Sequence, residues 1–183
     1  MLPSGHFAVG YLVTKFSISS LSGIFPQANE ARFWVVGMLA AVLVDLDEFY
    51  SFYKIGRPIG TAKGINHRKF FTHAPLFHLF IGLVGFIVGL AGGWSDLQLF
   101  AILYVAGMWS HFFFDSFGYG IMWLWPFSRR IFAFHNNSID FEIPAGSILE
   151  YWGKFLKLFV KDFVFYLEIA VITLALLIKF KVI

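Results

Sequence analysis

Imidazoles and carboxylates recur along the chain at His6, Asp45, Asp47, His67, His73, His111 and Asp115, and the sequence has no cysteine. Nitrogen and carboxylate oxygen without sulfur suit zinc, manganese or iron, with zinc the first choice. One tetrahedral catalytic zinc takes three protein ligands and a water. The candidates exceed that number and suit one or two divalent ions, a pair sharing a bridging carboxylate. The chemistry such a centre carries is hydrolysis. A divalent ion lowers the pKa of its water to about 7 and clamps a phosphoryl oxygen. Arg68 adjoins His67, and a planar guanidinium is suited to the negative charge that develops on a phosphate. Its plainer reading is a positive charge at a membrane surface.

Spacing refines this. His111 and Asp115 in SHFFFD are four apart and share one helix face. Asp45 and Asp47 are two apart, about 200° round a helix but on the same side of an extended segment. Either their helix has ended there or only one of them binds. His67 and His73 cannot share a regular helix face, so His67 is expected from a loop and His73 from a first turn. The plainer alternative for the whole set is a polar network gluing helices together. Against it stands the cost of ionisable groups in a bilayer, about 2.5–3.5 kcal/mol at the centre on insertion scales. His78 reads as a packed residue, His135 in AFHNNSID as a surface histidine, and Glu168 as a helix–helix contact.

The elements that must bring these residues together are apolar helices. The chain of 183 residues is 58% hydrophobic and only 14% charged, with a mean hydropathy of +0.73. A soluble domain is about a quarter charged, so the composition predicts an all-α, polytopic membrane bundle. Neither repeats nor linkers divide residues 1–183, which predicts a single domain. Helices are expected over about 4–24, 33–47 (reaching Tyr53 if it spans), 72–92 with Thr72 as N-cap, 97–117 and 159–178. With about 20 apolar residues needed per crossing, this predicts four to five transmembrane helices. Consecutive spans alternate in direction. His6 at a start, Asp45 and Asp47 at an end, His67 and His73 at a start, and His111 and Asp115 at an end therefore fall in one layer at one membrane face.

Lys and Arg set the orientation. Lys54, Arg57, Lys63, Arg68 and Lys69 lie in one loop, and Arg129, Arg130, Lys154, Lys157 and Lys161 follow the fourth helix. The rule puts both segments, and the site with them, in the cytoplasm. The N-terminus has no basic region or cleavage site of a removable signal peptide. A net charge of +3 points to membrane orientation rather than nucleic acid, so no nucleic-acid partner is expected.

Gly5-His6, Asp45-Leu46-Asp47, His67-Arg68 with Thr72-His73, Ser110-His111 with Asp115, and Trp125-Pro126-Phe127 follow one another in this order. Together they resemble the YdjM-like, LexA-binding, inner-membrane-associated family of metal-dependent hydrolases. The resemblance covers about residues 5–127, with the C-terminal 50 residues matched loosely. It departs from the family pattern at Val44, Glu48, Lys69 and Ala74, where that pattern has Pro, His, Gly and Ser. It implies a hydrolase in the bacterial-type inner (plasma) membrane, with the seven residues as metal ligands. The order of ligands is also similar to that of helical zinc phospholipase C and P1-type nucleases, which are soluble and cleave phosphoesters. The expected function is hydrolysis of a phosphoester, lipid-linked for a site at the interface, with membrane lipid as partner. Two alternatives from other classes are a metal transporter or sensor and a non-catalytic membrane interaction protein. FIGLVGFIVGLAGG beyond His78 offers a transported ion no polar path. Nothing in the sequence looks like a LexA-recognition element.

Overall fold

The computed structural model describes residues 1–47, 50, 53, 59–60, 65–118, 120–134, 143 and 147–182. His135, Glu48 and the side chain of His67 lie outside the described residues. The fold is helical: α1 is Pro3–Leu21, α2 Ala31–Leu43, α3 Pro75–Gly92, α4 Ser95–Asp115, α5 Ile148–Phe159 and α6 Phe163–Lys179. A two-residue antiparallel ladder, β1 (Ile59–Gly60) with β2 (Ile65–Asn66), precedes short 3-10 turns at His67–Lys69 and Phe71–His73.

Proline opens α1 and α3 within the first turn, where its missing N–H costs nothing. Gly93, in the left-handed conformation at φ 67°, closes α3. Thr72 is not the N-cap of α3. Ala74 holds that position without a side-chain hydrogen bond, and the Thr72 hydroxyl is turned to Asp47 instead. The second helix stops at Leu43, short of the expected Asp47, and Asp45 closes a tighter turn through its N–H to Val42 O at 3.1 Å. The expected last helix is α6, and α5 before it is a helix that the sequence reading did not place. Ser147 caps α5 by accepting from Glu150 N–H, and Asp162 caps α6 by accepting from Val164 N–H at 2.7 Å. Both caps restart the helical ladder where its first donors lack partners.

α1, α2 and α4 pack against one another, α3 lies on α4, and α6 on α1. Small residues permit the closest approach: a side chain at Gly107 of α4 would collide with the carbonyl of Gly37 on α2. One apolar cluster, with Ile18, Phe33, Leu99 and Leu103, fills the end away from the histidines. Another, with Ala40, Val44, Phe112 and Ile121, lies directly beneath them. A third joins α1 to α5 and α6 through Val9, Leu12, Tyr151, Phe155, Phe159 and Val164.

α3 and α4 are long and apolar enough to cross a membrane. α3 is not the core helix of a soluble protein, because only 22% of its residues are buried and Phe80, Leu83, Ile87 and Leu90 are exposed. An apolar surface of that extent in water would be an aggregation or interaction site. α2, with 13 residues, is about 20 Å long at 1.5 Å per residue and falls short of a crossing.

Candidate metal centre

Four of the expected ligands form one compact set. Single ligand atoms of Asp45, His73, His111 and Asp115 all lie within 4.8 Å of one another. His111 Nε2 is 3.4 Å from Asp45 Oδ1 and 3.5 Å from Asp115 Oδ2, and His73 Nε2 is 3.6 Å from Asp45 Oδ1. These separations exceed a good N–H···O hydrogen bond. They match the edge of a coordination shell, since two ligands about 2.1 Å from one tetrahedral ion stand about 3.4 Å apart. Nδ1 and Nε2 of His6, and Nε2 of His111, are buried without a hydrogen-bond partner among the described residues. Orphaned buried ring nitrogens are rare, and here they are of the type a borderline metal takes. The residues present therefore fit a divalent ion.

Each imidazole of the compact set is aimed by its other nitrogen. His111 Nδ1 donates to Ala41 O at 2.9 Å. A carbonyl only accepts, so the proton is on Nδ1 and the Nε2 lone pair is free for a metal. His73 Nδ1 lies 2.7 Å from Asp47 Oδ2, which also accepts from the Thr72 hydroxyl. Asp47 thus holds the histidine rather than joining the compact set. Such partners orient ligand histidines and raise their basicity. Asp45 and Asp47 thus turn to different partners, and only Asp45 belongs to the compact set.

His6 approaches from the far side. Its ring stacks on His111 at a centroid distance of 3.8 Å. Its Nε2 is 3.2 Å from Asp115 Oδ1 and 4.0 Å from Asp45 Oδ2. The two carboxylates therefore show one oxygen to His73 and His111 and the other to His6. Arg68 is buried, not a surface charge, with Nη1 2.9 Å from Asp115 Oδ2. The Met1 amino group lies 3.0 Å from Asp115 Oδ1. His67 opens the 3-10 turn His67–Lys69, and its side chain is outside the described residues.

Burial opposes ionisation of Asp45, yet the fields of His111, His73 and His6 overcome it and hold its carboxyl below the usual range. Burial also opposes a charged His73, but the carboxylates of Asp45 and Asp47 beside it outweigh it and raise its pKa to about 9.

Residues outside the ligand set fix its frame. His78 Nε2 donates to Thr72 O at 2.7 Å, which leaves Nδ1 to accept from the Tyr104 hydroxyl at 2.6 Å. Both nitrogens are spent, so His78 packs and braces the turn that carries His73. Glu168 of α6 accepts from Leu2 N–H (3.0 Å), the Ser4 hydroxyl (2.8 Å) and Gly5 N–H (3.0 Å). It thereby caps α1 one residue before His6. A Cβ at Gly5 would stand 2.8 Å from Glu168 Cγ, so glycine before His6 is the space that Glu168 occupies. Glu168 read only as a helix contact in the sequence; its lone charge in an apolar helix was the signal. Nothing in the sequence linked Tyr104 to the site.

The family model described as YdjM inner membrane protein matches residues 1–182, including the C-terminal region that the motifs leave open. No curated protein and no solved structure matches the chain.

Proposed function

The chain belongs to the YdjM inner membrane protein family, and from that membership and its buried ligand atoms we propose a membrane-embedded, metal-dependent hydrolase of a phosphoester at the lipid interface. The observation that carries this reading is the 3.4–3.6 Å spacing of His111 Nε2, His73 Nε2, Asp45 Oδ1 and Asp115 Oδ2. A bound divalent metal, zinc by preference or manganese or iron, supplies Lewis acidity and an acidified water. The chain supplies the rest. His73 and His111 present lone pairs held in one tautomer by Asp47 and the Ala41 carbonyl. Asp45 and Asp115 balance the ion's charge and turn their second oxygens to His6, where a second ion fits the donor types. Arg68, at Asp115 Oδ2, is within reach of a phosphoryl oxygen and neutralises its charge.

In this reading α3 and α4 cross the inner membrane together with α1 and α6, which makes four of the four to five spans that the sequence predicts. The Lys and Arg distribution puts the site at the cytoplasmic face. Transport is the weaker function, because α3 beyond His78 carries no polar residue.

The test is elemental analysis of protein purified in detergent without chelator, followed by turnover of bis-p-nitrophenyl phosphate. One to two equivalents of a transition metal are expected, abolished in the His111→Ala, Asp115→Ala double variant. Wild type that carries no metal and rebinds neither zinc nor manganese would overturn the reading. Arg68→Ala is expected to keep the metal and lose turnover.

A further inference from the structure

A cleft of about 800 Å³ opens beside the metal centre, and Asp47 and Thr72 form part of its wall. The site's own exposure points the same way. The side chains of His6, His73, His111 and Asp115 are 0% exposed, whereas Asp45 and Asp47 are 12% and 10% exposed. Among the described residues of this set, Asp45 and Asp47 are its exposed edge, and Asp47 is shared with the cleft.

Beyond Asp47, Thr72 and Tyr50, the lining has two chemistries. Lys69 and Arg129 are cations from segments far apart in sequence, and among the described residues neither is in an ion pair. Phe71, Met122 and Trp125 are apolar, with the Phe71 and Trp125 rings 6.4 Å apart. A small soluble anion has no use for the apolar wall. A neutral lipid has no use for two cations. Both features suit one molecule with a phosphate at one end and a hydrocarbon chain at the other.

We propose that this cleft binds an amphiphilic phosphoester, with its phosphate held by Lys69 and Arg129 at the Asp47 wall and its chain along Phe71, Met122 and Trp125. The proposal names the substrate class of the metal centre and rests on the hydrolase reading for turnover, but binding in the cleft requires no metal. The phosphate would then lie beside the carboxylate edge, within a side chain's length of Arg68. Lys69 adjoins Arg68 in the chain, so one short segment serves both the centre and the cleft.

The test measures binding to chelator-treated full-length protein, by calorimetry at one fixed nonionic detergent concentration. The probes are dodecyl phosphate, dodecanol and inorganic phosphate. Dodecyl phosphate is expected to bind at least tenfold more tightly than either of the others. Lys69→Ala with Arg129→Ala is expected to weaken dodecyl phosphate at least tenfold and leave dodecanol unchanged. Phe71→Ala with Trp125→Ala is expected to weaken both alkyl probes and spare inorganic phosphate. Lys69 and Arg129 are exposed, so loss of fold is not expected, and Lys69→Arg with Arg129→Lys should restore binding. Equal affinity for dodecyl phosphate and dodecanol would overturn the proposal, as would dodecyl phosphate binding indifferent to the charge variants. Inorganic phosphate binding as tightly as dodecyl phosphate would also overturn it, since the ligand would then be a free anion. Intact binding without turnover in metal-loaded protein would overturn the hydrolase reading and support the cleft. Turnover with binding indifferent to both double variants would do the reverse.

Discussion

At the residue scale, the candidate centre separates atoms placed to hold a metal from atoms that aim them. Asp45 and Asp47 are separated by one residue, Leu46, yet serve these two different ends. Asp47→Ala is expected to weaken metal affinity by about 10–100-fold without abolishing it, as losses of histidine-orienting carboxylates do. Asp45→Ala should remove the metal. A chelator competition titration distinguishes the two, and equal loss in both would place Asp47 among the ligands. His73 gives a pH signature. Its folded pKa of about 9 lies above the ordinary 6.5. The stability its proton contributes is therefore fully present below pH 6.5 and is lost as pH rises through 9. The ceiling is on the order of 3 kcal/mol, from 1.36 kcal/mol per unit. Protein in chelator should lose several degrees of thermal midpoint between pH 6.5 and 9, and His73→Gln should flatten that slope. Zinc should oppose it, because the ion takes the nitrogen that the proton leaves. A midpoint independent of pH in chelated wild type would mean that His73 is not charged in the fold.

At the scale of elements, α1 holds His6 in place only because α6 caps it. Glu168 satisfies two backbone N–H groups and a hydroxyl at the buried start of α1. Removing it leaves donors unpaired at about 1–3 kcal/mol each. Glu168→Ala should lower the thermal midpoint of both metal-loaded and metal-free protein, unlike a ligand variant, whose effect should require metal. Gly5→Ala attacks the same contact from the other side. The double variant should therefore be little worse than Glu168→Ala alone, since residues sharing one contact are not additive. Strict additivity would mean that the Gly5 and Glu168 effects have separate causes.

At the scale of the molecule, the helix ends that carry the histidines and carboxylates meet at one end of the bundle, with Ser95 and the Gln27–Asp96 contact at the other. If the basic segments are cytoplasmic, a cysteine at Arg130 should be shielded from an impermeant thiol reagent in intact cells, and one at Ser95 should react. The reverse pattern would turn the site outward and leave its geometry untouched. Among the described helices, α3 and α4 have the length and apolar composition for a crossing. Crossings by the others are a matter for the same labelling at positions in their own ends.

The amino-acid sequence by itself determined the helical class, the family, and the gathering of His6, Asp45, His73, His111 and Asp115 in one layer. The class and the gathering follow from composition and from helices that alternate in direction, which are local and additive properties, and the family from the order of its motifs between Gly5 and Phe127. Helix ends were less legible, because the break at Leu43 and the pair α5–α6 depend on which backbone groups find partners after packing. Only the tertiary structure decided that Asp47 holds His73 while Asp45 faces the centre, and that Arg68 is buried on Asp115. The same holds for Glu168, which closes the start of α1, and for the cations of distant segments that share one cleft. Each of these is a contact between residues remote in the chain, and its distance is set by how closely helices with small residues at their crossings can approach.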